Sequence, residues 1–358
     1  MSFRPVSRPK ARAALSNKEG RFEAVSRVSV QDGWDRDESL TPHLVTETRD
    51  EVARKIITYN RSPDLPFDRS INPYRGCEHG CIYCFARPTH AYLGLSPGLD
   101  FETRLIARPN APDCLRRELR APGYDVAPLA VGTNTDPYQP IEAQRRIMRD
   151  CLEVLAEARH PIAITTKGTL IERDIDILRD MALDNLVRVG ISVTTLSAPL
   201  SRAMEPRVPT PKRRLQTIER LVQAGIPVRI MASPMVPALS DHELEAILAA
   251  GAEAGARHAS WIMLRLPREV STLWQEWLAN NAPDRAERVM NRLREMHGGK
   301  VYEAEWGKRM RGQGSYAEMV QARFELALRR TGLSEGAPPL RTDLFRRPAQ
   351  DKRQLSLL

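Results

Sequence analysis

Cys77-Glu78-His79-Gly80-Cys81-Ile82-Tyr83-Cys84 places three cysteines within eight residues. Thiolates hold iron–sulfur clusters, and a 4Fe–4S cube has four irons to ligate. Three thiolates leave the fourth iron open to a small molecule, which suits catalysis better than electron storage. Two plainer readings compete. Three close cysteines can hold zinc with His79 or a distant group as fourth ligand, or they can pack as small apolar residues. Zinc sites more often use two separated Cys-x2-Cys pairs, and no second pair exists here. Cys114 and Cys151 stand alone in helix-like stretches and read as structural.

The surrounding chain has 358 residues, 42% of them hydrophobic, which fits one large α/β barrel with extensions. No apolar run reaches membrane-spanning length, and the Arg-rich start lacks an apolar h-region. The expectation is a cytoplasmic protein with no membrane contact. Five cysteines with three clustered argue against a disulfide framework. The net charge of +9 is concentrated at the ends. Residues 1–21 carry Arg4, Arg8, Lys10, Arg12, Lys18 and Arg21 against Glu19 alone, and residues 341–358 carry five basic residues against two acids. Basic arms on a near-neutral body suit contact with phosphate backbones, or simply keep the protein soluble.

Residues 1–60 read as a basic, mostly irregular extension. From about Asp68 strand and helix signals alternate. The strand-like runs are 70–76, 127–132, 161–166, 186–193, 226–232 and 259–264. Helical patterns fill 140–157, 170–183, 211–224 and 241–254, and a further helix closes near Arg117–Leu119. Gly225 reads as a helix stop and Ser240-Asp241 as the next helix start. Strands separated by helices imply right-handed crossovers and a parallel sheet. The expected fold class is therefore α/β, a partial (β/α)6 barrel over 61–280, with a helical cover over 281–332 and a loose basic tail over 333–358. In such barrels chemistry gathers at the carboxyl ends of strands, and the cysteine loop follows the first strand.

Cysteine loop and barrel rhythm together resemble the radical S-adenosylmethionine (SAM) superfamily. The phrases Asn72-Pro-Tyr-Arg-Gly-Cys77, Thr133-Asn-Thr-Asp136-Pro-Tyr-Gln-Pro140, Thr165-Thr-Lys167 and Ser233-Pro-Met-Val-Pro237 resemble a branch near spore photoproduct lyase, which repairs a thymine lesion in DNA. The resemblance implies that Cys77, Cys81 and Cys84 hold a 4Fe–4S cluster and that SAM chelates the open iron. The reduced cluster would cleave SAM to a 5′-deoxyadenosyl radical, which abstracts hydrogen from a substrate; DNA or another nucleic acid in repair or modification is the leading class, with protein, tRNA and small-molecule substrates open. An electron donor is then a required partner. Asp136, after the second strand, would accept from the SAM amino group or cap the turn before Pro137. Lys167, after the third, would meet the SAM carboxylate or ribose, or be a solvated turn lysine. Ser192, or Thr194 on the same strand face, would bond ribose. Arg207 would pair with a carboxylate of SAM, or with Glu205 at the surface. Tyr83 would set backbone groups against adenine, or simply pack. In the lyase a cysteine near the end of the second strand returns hydrogen to the product; Gly132-Thr-Asn-Thr-Asp136 has none.

The chain closes on Gln354-Leu355-Ser356-Leu357-Leu358, which resembles the short peptide that docks bacterial DNA-processing proteins on the sliding clamp. Leu358 stands where Phe is preferred. Gln354, Leu355, Leu357 and Leu358 are the expected clamp contacts. A second hypothesis, from a different class, is a non-catalytic Fe–S or zinc protein that binds nucleic acid.

Overall fold

The structure is a computed structural model that describes residues 11–22 and 44–349. Ten strands follow in chain order: β1 Glu47–Asp50, β2 Ile57–Tyr59, β3 Arg69–Ile71, β4 Tyr74–Arg75, β5 Arg104–Ala107, β6 Leu129–Val131, β7 Ile162–Thr166, β8 Val187–Ser192, β9 Val228–Met235 and β10 His258–Met263. Seven form one sheet in the order β10-β9-β8-β7-β6-β3-β2. Six of these, β3 and β6 to β10, run parallel, and β2 is antiparallel to β3 at the edge. The sheet is open, with β2 and β10 as its edges. The expected six-unit parallel rhythm holds, and each expected run overlaps its strand, though β3 and β10 start one residue earlier and β9 runs three residues further.

Local chemistry explains the intervening helices. Thr210 accepts from the Arg213 N–H at 3.3 Å and Pro211 takes the first position of the helix Pro211–Gln223. Gly225 follows it at φ 80°, as a helix stop should. The stretch 140–157, expected as one helix, is two: Glu142–Arg145 and Ile147–Glu157, parted at Arg146 with φ 55°. The break lets the buried Glu142 carboxylate accept from Met148 N at 3.0 Å and Arg149 N at 3.4 Å. One acid thus serves the unsatisfied donors of the second helix's first turn. Ser240 does not cap its helix; its hydroxyl accepts from Val236 N at 3.1 Å, and a short Asp241–Glu243 turn precedes Leu244–Glu253.

Both extensions are more ordered than their composition suggested. The N-terminal one contains β1, which joins β5 and β4 in a three-stranded sheet, and β2 of the main sheet. Arg12 is 2% exposed and its guanidinium donates to the Glu102 carbonyl at 2.8 Å. Ala13 and Ala14 N–H groups donate to the Glu102 carboxylate. Stretch 333–349 is irregular but not loose. Leu333 and Leu340 are buried, Ala259 N bonds Ser334 O at 2.9 Å, and the Phe345 ring packs on Tyr124 and His160. Residues 350–358, with the clamp-like peptide, lie outside the described residues. The cover is the helices Pro283–Met296 and Ser315–Thr331. Among the described residues no helix is long and apolar enough to cross a membrane.

Candidate active site

The cysteine loop is held by its own backbone and by side chains around it. Gly80 N bonds Cys77 O at 3.2 Å and Cys84 N bonds Cys81 O at 3.2 Å. Gly80 has φ +64°, and a Cβ there would sit 2.6 Å from the Glu102 carboxylate, so only glycine lets the loop close on that acid. Arg87, fully buried, donates to Cys81 O at 2.9 Å, Gly80 O at 2.9 Å, Pro97 O at 3.1 Å, Gly98 O at 2.9 Å and Glu102 Oε1 at 2.6 Å. All five guanidinium donors are used, two of them on loop carbonyls. Gln139 accepts from Glu78 N at 2.8 Å and donates to Gly76 O at 3.3 Å. Asn72 Oδ1 accepts from Asn134 N at 3.1 Å. The first two phrases of the resemblance are therefore one bonded unit around the loop.

Cys77, Cys81 and Cys84 are free thiols that line a single cleft of about 270 Å³. Burial pushes each thiol upward, and the Glu205 charge adds to this at Cys81. Such thiols become thiolates when a bound cation compensates them. Among the described residues no three His, Cys, Asp or Glu side chains converge to hold a single metal ion. His79, the expected fourth zinc ligand, lies with Nδ1 3.2 Å from Asp136 Oδ2, in an ionic contact without hydrogen-bond alignment. Three thiols sharing one cleft suit a cluster, which takes each thiolate on a separate iron.

Four of the five expected SAM-contact residues line this cleft: Tyr83, Asp136, Lys167 and Ser192. Asp136 is already loaded. It accepts from Tyr138 N at 2.9 Å, Thr166 Oγ1 at 2.6 Å and Lys167 N at 2.7 Å. Burial alone would raise its carboxyl, but His79 and these donors outweigh burial and hold it below the ordinary range. Asp136 thus fixes the ends of β6 and β7 more than it offers a free carboxylate. The Lys167 ammonium donates to Ser192 Oγ and to Ser233 O at 3.3 Å, and lies 3.8 Å from Glu205 Oε1. Arg207 does not join them. It pairs with Glu78 at 3.1 Å, and not with Glu205, because the Glu205 carboxylate turns inward.

The inward turn of Glu205 builds a network that the sequence did not reveal. Glu205 and Arg214 are both fully buried and pair at 2.7 Å. Glu205 also accepts from the Tyr83 hydroxyl and, at 2.9 Å, from Thr194 Oγ1. Arg214 donates to Ser192 O at 2.8 Å. Thr194 therefore belongs beneath the cleft, and Ser192 to its wall. Burial would raise the Glu205 carboxyl; Arg214, then Lys167, overcome it and hold it at about 2. The network ties the cysteine loop, through Tyr83, to Lys167 and Ser192. The wall also carries an apolar part, including Leu65, Phe67, Phe85, Met231 and Met310.

Residues 71–250 match the family model of the Radical SAM superfamily. An uncharacterised protein of Mycobacterium tuberculosis is 38% identical over 235 residues, covering 65% of this chain and 68% of its own. An uncharacterised protein of Methanocaldococcus jannaschii is 25% identical over 191 residues, covering 53% of this chain and 68% of its own. Among solved structures, spore photoproduct lyase complexed with dinucleoside spore photoproduct superposes with a TM-score of 0.58 at 12% identity, covering 80% of this chain and 81% of that one. A double mutant of that lyase with bound AdoMet and the same dinucleoside gives 0.59 at 12% identity over the same shares. At such identities the likeness is one of fold. With the thiol triplet in the cleft, the six parallel strands and the matched family model, the chain belongs to the radical SAM superfamily, whose cofactors are a 4Fe–4S cluster and SAM.

Proposed function

We propose that this radical SAM enzyme abstracts hydrogen from a nucleic-acid substrate, in repair or modification. The observation that carries the reading is the placement of the three thiols in one cleft with Lys167 and Ser192. Cys77, Cys81 and Cys84 would hold the cluster. When bound and reduced, cluster and SAM together supply one carbon-centred radical per SAM cleaved. Lys167 presents a cation for the SAM carboxylate, Ser192 a hydroxyl for ribose, and Tyr83 closes the loop side. Asp136 positions the Lys167 backbone. The apolar wall keeps water from a reactive radical and suits a flat base, whose faces stack on Phe67 or Phe85.

The nucleic-acid part draws on the basic ends and on the fold likeness to a lyase solved with a dinucleoside lesion. Among the described residues no fourth cysteine lines the cleft; Cys114 and Cys151 are buried in helices. Hydrogen return by a thiol is therefore not part of the proposal. The test is isotopic. Anaerobic turnover with SAM and DNA or RNA deuterated at carbon should move deuterium into 5′-deoxyadenosine. Product formed without deuterium from either polymer would remove nucleic acid as the substrate.

Lys167→Ala should weaken SAM binding by about tenfold, the equivalent of ~1.4 kcal/mol, with iron content unchanged. Equilibrium dialysis with labelled SAM measures the affinity and a colorimetric iron assay the iron content, and unaltered affinity would take Lys167 out of the SAM site. The reading extends to partners: a reducing cytoplasmic setting, an electron donor, and the sliding clamp through Gln354–Leu358. A five-residue peptide that orders on binding buries little area, so micromolar affinity is expected. Deleting 354–358 should abolish clamp binding and leave SAM cleavage intact. No association of full-length protein with clamp at about 100 µM, well above micromolar Kd, would sink the clamp assignment.

A further inference from the structure

Arg265 follows β10, at the carboxyl end of the last parallel strand, and lines the thiol cleft. Its guanidinium carbon lies 4.9 Å from the ring centroid of Phe85, the residue after Cys84. Stacking uses a face of the planar group and leaves its N–H edges free. Those edges are poorly served. One terminal nitrogen lies 3.4 Å from the Met310 sulfur and the other 3.4 Å from the Tyr302 hydroxyl. The thioether is a weak acceptor, and the hydroxyl contact is long. Nε is buried and has no partner. Among the described residues no carboxylate pairs with Arg265.

The other basic side chains of the cleft have partners within the protein. His79 faces Asp136, and Lys167 touches Ser192, Ser233 O and Glu205. The one acid of the cleft, Asp136, already accepts three hydrogen bonds. What sets Arg265 apart is the missing counter-ion: buried Arg87 pairs with Glu102, and Arg214, whose Nε is likewise unpartnered, pairs with Glu205. A partly buried charge without a counter-ion costs free energy. A ligand that brings two oxygens to the open edge recovers that cost, since guanidinium geometry matches carboxylate and phosphate.

We propose that Arg265 is a further oxyanion-binding residue of the cleft and a specificity determinant of the reaction. The oxyanion is a substrate phosphate or, shared with Lys167, the SAM carboxylate. The anion site itself rests on cleft geometry; only its phosphate source rests on the nucleic-acid reading above. Met310, which lines the cleft, and Tyr302 both lie in the stretch between the two cover helices and touch Arg265. Arg309 in the same stretch pairs with Asp64 at 2.6 Å. Asp64 precedes Leu65, which lines the cleft, so this stretch reaches the far rim of the site.

The test compares wild type, Arg265→Gln and Arg265→Lys, reconstituted anaerobically and matched for iron content and melting temperature. Three probes are titrated calorimetrically: SAM, inorganic phosphate and the dinucleotide TpT. Arg265→Gln should weaken at least one probe that wild type binds by about tenfold or more. Arg265→Lys, which keeps charge but loses the fork, should fall between. Loss of SAM affinity alone makes the SAM carboxylate the ligand; loss of phosphate or TpT affinity makes it the substrate's phosphate. If wild type ignores TpT while SAM or phosphate binding still depends on Arg265, the anion site stands and the nucleic-acid reading loses its support here. If Arg265→Gln binds every probe that wild type binds with unchanged affinity, the proposal is overturned.

Discussion

Arg214→Met should unfold far more readily than wild type. The substitution removes a fully buried guanidinium and leaves Glu205 buried with its hydroxyl donors and Lys167 at 3.8 Å. Breaking a buried pair from one side typically costs ~3–5 kcal/mol, because the remaining charge is stranded. For a chain of this size the melting temperature should fall by roughly 5–10 °C. Replacing both partners, as in Glu205→Gln with Arg214→Met, should recover part of the loss, since neither charge is then stranded. A single variant melting within about 1 °C of wild type would mean that the network does not support the fold.

The same pair sets a pH signature. Glu205 is held at about 2, below the ordinary 4.5 of a glutamate. A depressed carboxyl stabilises the folded state fully above its unfolded value and loses that contribution as pH falls toward the folded one. Wild type should therefore exceed Glu205→Gln in stability by a constant margin at neutral pH. The margin should shrink between pH 4.5 and 2. Denaturant midpoints measured across that window provide the check, and a margin independent of pH would contradict the assignment.

Replacing any one of Cys77, Cys81 or Cys84 by Ala should abolish SAM cleavage, because each thiol serves a separate iron and the loop offers no substitute. Wild type should carry about four irons per chain after anaerobic reconstitution. The triple variant should carry almost none. Cys114→Ala and Cys151→Ala should keep iron at the wild-type level, since both residues are buried in helices outside the cleft. Iron retained in the triple variant would defeat the ligand assignment.

The cysteine triplet and the strand–helix alternation were readable because each depends on neighbours in sequence. Alternating burial along β7, with Ile162, Ile164 and Thr166 inward, is a period-two pattern that needs no tertiary information. Lys167 and Ser192 were reachable for the same reason: each lies at or just after a strand end. What could not be read were pairings over long separations. β1 and β5 are joined in register from Glu47 with Arg104 to Asp50 with Ala107, and nothing local marks either as a strand in a second sheet. Arg12 looked like one more cation of a basic arm, yet its destination is a carbonyl ninety positions away. Arg214 sits within Lys212-Arg213-Arg214, the signature of a solvated helix face. Only the burial of Glu205 nine residues earlier makes it a core residue. Arg207 was misdirected to Glu205 by proximity in sequence; the turn at Pro206 sends the two side chains to different partners. Arg265 drew no notice because an arginine after a strand has no local signal. Its meaning lies in the absence of a counter-ion, which only the assembled cleft reveals.

The central claim is that the thiol cleft performs radical SAM chemistry. Its most direct test is one anaerobic reaction of reconstituted wild-type protein with dithionite and SAM, analysed for 5′-deoxyadenosine and methionine. The account predicts both products in equal amounts, with none from the triple cysteine variant. Intact SAM after prolonged reduction of a fully iron-loaded protein, or equal product from wild type and triple variant, would contradict it.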